Sequence, residues 1–159
     1  MDSPVDITVL VEQYYSDVYR FAFRLAGDAH QAEDMTQQAF LQAHRKLDSL
    51  REIDRAKPWL FTIVRNVFRQ EMRRGSVNTV ELDELNEPGA TESHPLDYEN
   101  LKSAIDSMSD EFRDVLILFY FEEVSYKEIA ETLDIPIGTV MSRLARGKRH
   151  LRKVLSIEE

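Results

Sequence analysis

The stretch SYKEIAETLDIPIGTVMSRLARGKRHLRKV, residues 125–154, decides how this chain folds. Ser125 stands three residues before Glu128 and just ahead of the apolar positions Ile129, Ala130 and Leu133, the pattern of a capping box that opens a short helix. The segment Asp134 to Pro136 breaks that helix, and Asp134 has the short polar side chain that tolerates a left-handed backbone. From Ile137 to about Leu155 the apolar period is helical again. A short helix, a tight turn and a longer helix have the dimensions of a helix-turn-helix. In the longer helix Val140, Leu144, Leu151 and Val154 point into a core, with Gly147 on the same side permitting close approach. Thr139, Ser142, Arg146, Arg149 and Lys153 recur on the opposite side, with Arg143 on the flank. Small hydroxyls near the helix start with arginines behind them suit the major groove, where arginine pairs with N7 and O6 of guanine. Arg149, Arg152 and Lys153 lie farther along, at the level of phosphates. A solvated basic face is the plainer reading of such a stripe; the capping box, the turn and the acid-free run from 138 to 157 favour DNA.

Working outward, one helix is expected over about Leu96–Ser107 and another after Ser109, with Asp110 and Glu111 in its first turn, where they favour the dipole. The run Val115–Phe121 is rich in β-formers, but helical neighbours and the lack of a partner strand make it helix. Residues 76–94 are acidic and turn-prone, without a sustained period, and read as a flexible tether, with Leu82 and Leu85 as candidate docking side chains. Three helices precede it. The first, about Thr8–Ala26, places Val11, Tyr14, Tyr15, Val18, Ala22 and Leu25 on one face. Asp28 caps the second, with Gln31 at the capping-box position; Ala32, Met35, Ala39, Phe40, Ala43 and Leu47 face inward, and Glu33, Asp34, Gln37, Gln38, Gln42 and Arg45 outward. A charged loop, Asp48–Lys57, leads to Pro58 at the start of the third. There Leu60, Ile63, Val64 and Val67 form the buried stripe, and Arg65, Arg69 and Arg73 make a row opposite it. The fold class is all-α: two small helical domains, residues 1–75 and 96–159, joined by a flexible acidic linker at 76–95, the second containing the helix-turn-helix.

A net charge of −9 over 159 residues argues at first against nucleic acid, yet its distribution reverses that. Residues 51–75 and 138–159 each sum to +4, while residues 76–114 alone sum to −9. Arg65, Asn66, Arg69, Arg73 and Arg74 share a helix with Trp59, Phe61 and Phe68, a mix able to hold a single strand by phosphate contacts and stacking. Trp59, the only tryptophan, reads as core or core-edge. The chain has no cysteine, so disulfides and thiolate chemistry are excluded. Its longest apolar run is too short for a bilayer and its start carries no signal pattern, so a cytoplasmic location without membrane insertion is expected.

Taken in order, these segments resemble a bacterial sigma factor of the extracytoplasmic-function type. The similarity covers about residues 10–74 and 96–155 and rests on AEDMTQQAF at 32–40, WLFTIVRN at 59–66 and EIAETLDIPIGTVMSRL at 128–144. Gln38 stands where that family usually has glutamate, and Met141 where lysine or arginine is common. The resemblance implies that the second helix docks on the clamp helices of the polymerase β′ subunit through Asp34, Gln37, Gln38 and Arg45. It implies that Asn66, the neighbouring arginines and the loop Asp48–Lys57 read the −10 element, and that Thr139, Ser142, Arg143 and Arg146 face the −35 element. Core RNA polymerase (β′ clamp helices and β flap), promoter DNA and an anti-sigma factor are the implied partners. No cofactor and no metal is implied.

Two rival functions are weighed. A stand-alone helix-turn-helix regulator would need a dimer interface or effector pocket, and no heptads offer one. An enzyme would need a framed site; His30, His44, His94 and His150 lie far apart, the five glycines form no phosphate loop, and Asp83, Glu84 and Glu87 lack rigid support.

Overall fold

The computed structural model describes residues 5–75 and 95–155, with side chains from residue 100 onward in the second segment. All regular structure among these residues is helical, and the chain divides into two compact units, Met1–Glu87 and Pro88–Glu159. The expected tether at 76–94, with Leu82 and Leu85, lies outside the described residues. Pro95, expected to close that tether, already opens a helix.

The first unit packs three helices on one another: α1 (Ile7–Ala26), α2 (Ala29–Arg45) and α3 (Ala56–Gly75). Asp6 caps α1 by accepting from the Thr8 amide at 3.1 Å. Gly27 ends it at φ 73°, a left-handed conformation that glycine takes without steric cost. Asp28 caps α2 through the amide of His30, one residue short of the expected Gln31 position. The inner face of α1 is Leu10, Val18, Phe21, Ala22 and Leu25, which corrects the face anticipated from Val11, Tyr14 and Tyr15. The helix is apolar on more than one side; Phe21 and Leu10 bury completely, while Tyr14 is half-buried and Tyr15 exposed. Tyr15, 43% exposed, stacks on Tyr19 and Phe40 instead. The centre of the core is Phe21 against Phe61, ring centroids 4.7 Å apart. Each such side chain removed from water stabilises the unit by roughly 1.5–3 kcal/mol before entropy is counted.

Between α2 and α3 the chain makes two 3-10 turns, Leu47–Ser49 and Ile53–Arg55. Leu47 therefore leaves the inner stripe of α2 and joins a small cluster around Leu10, Leu50 and Ala56. α3 begins at Ala56, two residues earlier than Pro58 implied; proline is tolerated there because first-turn amides need no intrahelical partner.

The second unit contains α4 (Pro95–Asp106), α5 (Asp110–Leu116), a π-helical turn (Ile117–Phe121), α6 (Tyr126–Leu133) and α7 (Ile137–Val154). The run 115–121 is helical as expected, but its second half widens: the Glu122 amide donates to the Ile117 carbonyl, five residues back, at 3.0 Å. Glu123 then turns the chain at φ 56°. α7 packs on α4, α5 and α6, and Val140, Leu144 and Gly147 supply its buried side. Leu151 is half-buried. Val154, expected inward, is 47% exposed, while Leu155, one residue on, turns toward the groove side of the helix and is half-buried.

Gly147 sets how closely α7 approaches α5. A Cβ placed there would lie 2.9 Å from Leu116 Cδ1 and 3.3 Å from Met108 Cε, both belonging to buried side chains. Gly147→Val is expected to destabilise the second unit by about 1–3 kcal/mol through overpacking. Gly138 has nothing within 4 Å of the same position, so Gly138→Ala is expected to gain up to about 1 kcal/mol from helix propensity. Urea unfolding of the two variants checks the contrast; native stability in Gly147→Val would contradict this packing.

Candidate nucleic-acid interface

The helix-turn-helix is built by local polar chemistry. The Ser125 hydroxyl accepts from the Glu128 amide at 3.1 Å, and Glu128 Oε1 accepts from the Ser125 amide at 3.4 Å, a reciprocal capping box of the kind worth about 1 kcal/mol. At the other end of α6 Asp134 is left-handed, φ 56° and ψ 52°, and the Ile135 amide donates back to the Ala130 carbonyl at 3.0 Å. Pro136 then starts α7 without offering a capping side chain. Both expectations for this turn hold.

The structure brings the basic residues of α7 to one exposed arc. Ser142, Arg146, Arg149 and Lys153 are exposed and Thr139 half-buried. The Ser142 hydroxyl donates to the Thr139 carbonyl at 3.1 Å. Arg143 stands apart: it is half-buried and its guanidinium lies 3.8 Å from Glu111 of α5. Such a partly exposed pair contributes little stability, but it occupies the flank from which Arg143 would reach DNA. On the other border Lys148 sits 5.7 Å from the Tyr120 ring centroid. Lys148 and Arg152 rim an open apolar groove of about 530 Å³, whose floor includes Leu101, Ile105, Leu116 and Leu151. No motif announced this groove, because its residues come from four separate elements.

On α3 Asn66, Arg69, Arg73 and Arg74 are exposed and Arg65 half-buried. Arg74 lies 4.0 Å from Glu71, at the limit of an ion pair. Phe61 and Phe68 are buried, at 0% and 5% exposure, so the stacking role considered for them is corrected: both rings belong to the core. Trp59 is core-edge as expected. Its indole N–H donates to Ser49 Oγ at 3.1 Å, and it packs beside Leu10, Leu50 and Ala56. That contact fixes the loop before α3 from beneath while Arg51, Glu52, Ile53, Asp54 and Arg55 remain exposed. Nearby, burial and then the carboxylates of Asp17 and Asp54 raise the Tyr14 pKa, so its hydroxyl stays protonated.

Asp34, Gln37 and Arg45 are exposed on α2, and Gln38 is half-buried. Sequence reasoning missed Leu41, which is 58% exposed on the same face, one turn after Gln37. Its position off the buried stripe of Ala32, Met35, Ala39 and Ala43 is the signal that finds it.

Residues 10–77 match sigma-70 region 2 and residues 98–151 match sigma-70 region 4. The chain is 33% identical to the ECF RNA polymerase sigma factor SigL of Mycobacterium tuberculosis, over 92% of its own length and 86% of that protein. The chain belongs to the extracytoplasmic-function sigma factors of the sigma-70 family. SigE of Mycolicibacterium smegmatis is 35% identical to it across 92% of this chain but only 60% of SigE, so the sigma factor described here spans less than two thirds of that relative. Among solved structures, the sigma factor RpoE of Bartonella quintana, crystallised with the anti-sigma factor NepR, superimposes with a TM-score of 0.79 at 27% identity, covering 97% of this sigma factor and 99% of RpoE. The two matched regions contain, in order, α2 with α3 and then the helix-turn-helix, and they favour an initiation factor over a stand-alone operator-binding regulator. Among the described residues no helix is long and apolar enough to cross a membrane.

Proposed function

We propose that this sigma factor binds core RNA polymerase and directs it to promoters, acting in the cytoplasm and without catalysis of its own. The observation that carries the reading is the exposed, acid-free face of α7, held by a helix-turn-helix whose first helix is capped at both ends. Residues 1–75 form the docking and −10 domain, 76–95 the linker and 96–159 the −35 domain. Asp34, Gln37, Gln38 and Arg45, with Leu41 among them, meet the β′ clamp helices. Arg65, Asn66, Arg69, Arg73 and Arg74 engage the −10 element as it opens, beside the exposed loop tip. Thr139, Ser142 and Arg146 read bases of the −35 element, Arg143 joins them once released from Glu111, and Arg149 and Lys153 hold phosphates. The apolar groove rimmed by Lys148 and Arg152 is the seat assigned to the β flap. An anti-sigma factor is a further partner, supported by the RpoE–NepR complex.

The test separates base reading from phosphate holding. Arg146→Ala is expected to cost about 1–3 kcal/mol on the preferred site and to relax one base position. Arg149→Ala is expected to weaken all sequences alike and to lower the salt slope by about one. Titrating holoenzyme on variant promoters over a salt series checks both. Equal changes in base preference from the two substitutions would overturn the assignment of faces.

A further inference from the structure

α7 carries an apolar lane that neither its core contacts nor its basic row explains. Ile137, Met141 and Ala145 follow one another at intervals of four and so share one side of the helix. Ile137 is 49% and Met141 52% exposed, and Ala145 is exposed with them. The buried side is filled by Val140, Leu144 and Gly147, so the second unit does not need these side chains for its own packing. The lane runs beside Gly138 and Ser142 on the outward arc. Its surroundings are cationic: Arg146 and Arg149 are exposed on the same helix, and no acidic residue occurs from Ile135 to Leu155.

These features select an occupant. A stable protein partner covers about 800 Å² of each surface, far more than two side chains and a methyl group supply. The charge around the lane complements phosphate, which places DNA against it. In the major groove the apolar mark is the 5-methyl group of thymine, which separates an A·T pair from all others by contact with an apolar side chain. A methionine thioether is flexible and polarizable and moulds itself to such a group. A lysine or arginine at the same place would instead donate to guanine O6 and N7.

We propose that Met141, flanked by Ile137, reads the 5-methyl group of a thymine in the upstream promoter element, so that this sigma factor selects thymine at one position there. The inference rests on α7 being the reader of that element.

The experiment uses holoenzyme and a promoter it selects from templates with a randomised upstream element. Each upstream thymine is replaced singly by deoxyuridine, which removes the methyl group and leaves every hydrogen-bonding group in place. At one position the replacement lowers the initiation rate about three- to tenfold with the native chain. Holoenzyme containing Met141→Ala initiates equally on the thymine and deoxyuridine templates. Met141→Lys shifts the preferred base at that position away from thymine; Met141 is exposed, so both variants keep the native circular dichroism. A flat response of the native chain at every thymine overturns the proposal, as does an equal deoxyuridine effect in Met141→Ala, or a selected element without thymine. Arg146→Ala distinguishes the two levels. If it changes the upstream base preference while the deoxyuridine scan stays flat, only the methyl contact falls. If neither Arg146→Ala nor the Met141 variants alter any upstream preference, α7 is not the reader and the proposed function fails with it.

Discussion

Asp34→Arg is expected to weaken binding to core RNA polymerase by tenfold or more, about 1.4 kcal/mol at the least. Asp34 is exposed on α2, on the face that also presents Gln37, Leu41 and Arg45. Reversing its charge both removes an attraction and introduces a repulsion, and close charge pairs across interfaces couple by about 1.5–7 kcal/mol. The cap of α2 is Asp28 and its buried stripe begins at Ala32 and Met35, so the variant keeps its helical circular dichroism. Leu41→Ala tests the same face without charge and is expected to weaken the complex as well, because an exposed leucine covered by a partner gains the transfer of its apolar surface from water. Arg149→Ala, in the other unit, leaves core binding unchanged. Retained full affinity in Asp34→Arg would move the docking site off α2.

The free chain is expected to bind promoter DNA at least about a hundredfold more weakly than the holoenzyme at about 0.15 M salt, where exposed charges are screened beyond about 8 Å. Its net charge is −9, and residues 76–94 alone carry five acids and no base, so most of the chain repels phosphate. The favourable charge is confined to two short helical faces. With the two phosphate contacts assigned to Arg149 and Lys153, raising salt from about 0.05 to about 0.2 M lowers the affinity of α7 by roughly 12-fold, since each contact contributes a slope near 0.9. A second DNA-binding face adds its contacts only when both faces can meet their elements at the same time. In the proposed function polymerase meets that condition by holding both domains at once. Footprinting of free chain and holoenzyme on one promoter checks the ratio; tight, sequence-specific binding by the free chain would favour an independent regulator instead.

Much of this was legible in sequence where the chemistry is local. Ser125 and Glu128 sit three residues apart and cap the same helix end, and Asp134 turns the chain with its own backbone, so neither depends on distant packing. Gly147 was legible because only the smallest residue suits a core position between Leu144 and Leu151. The face of α1 was not, because Val11, Tyr14 and Tyr15 compete with Leu10 and Phe21 for burial, and the choice is made by α2 and α3. The π turn at 117–121 arises from a shift in backbone hydrogen bonding that leaves the side-chain pattern almost unchanged. Phe61 and Phe68 looked available beside basic residues, yet α3 is wrapped closely enough to bury both. Leu41 and Ile137 lie off the buried stripes of their helices, and Met141 stands out in the sequence only as a replacement of a basic residue; that all three are exposed is a property of the folded surface.

The central claim, that this chain gives core polymerase its promoters, meets its most direct test in transcription from genomic fragments by core polymerase with and without the chain, with the 5′ ends mapped. The account predicts start sites that appear only when the chain is added, each lying at a fixed spacing downstream of the same pair of short sequence elements, and lost with Asp34→Arg. Start sites unchanged by the chain, or new ones that share no upstream element, would contradict it.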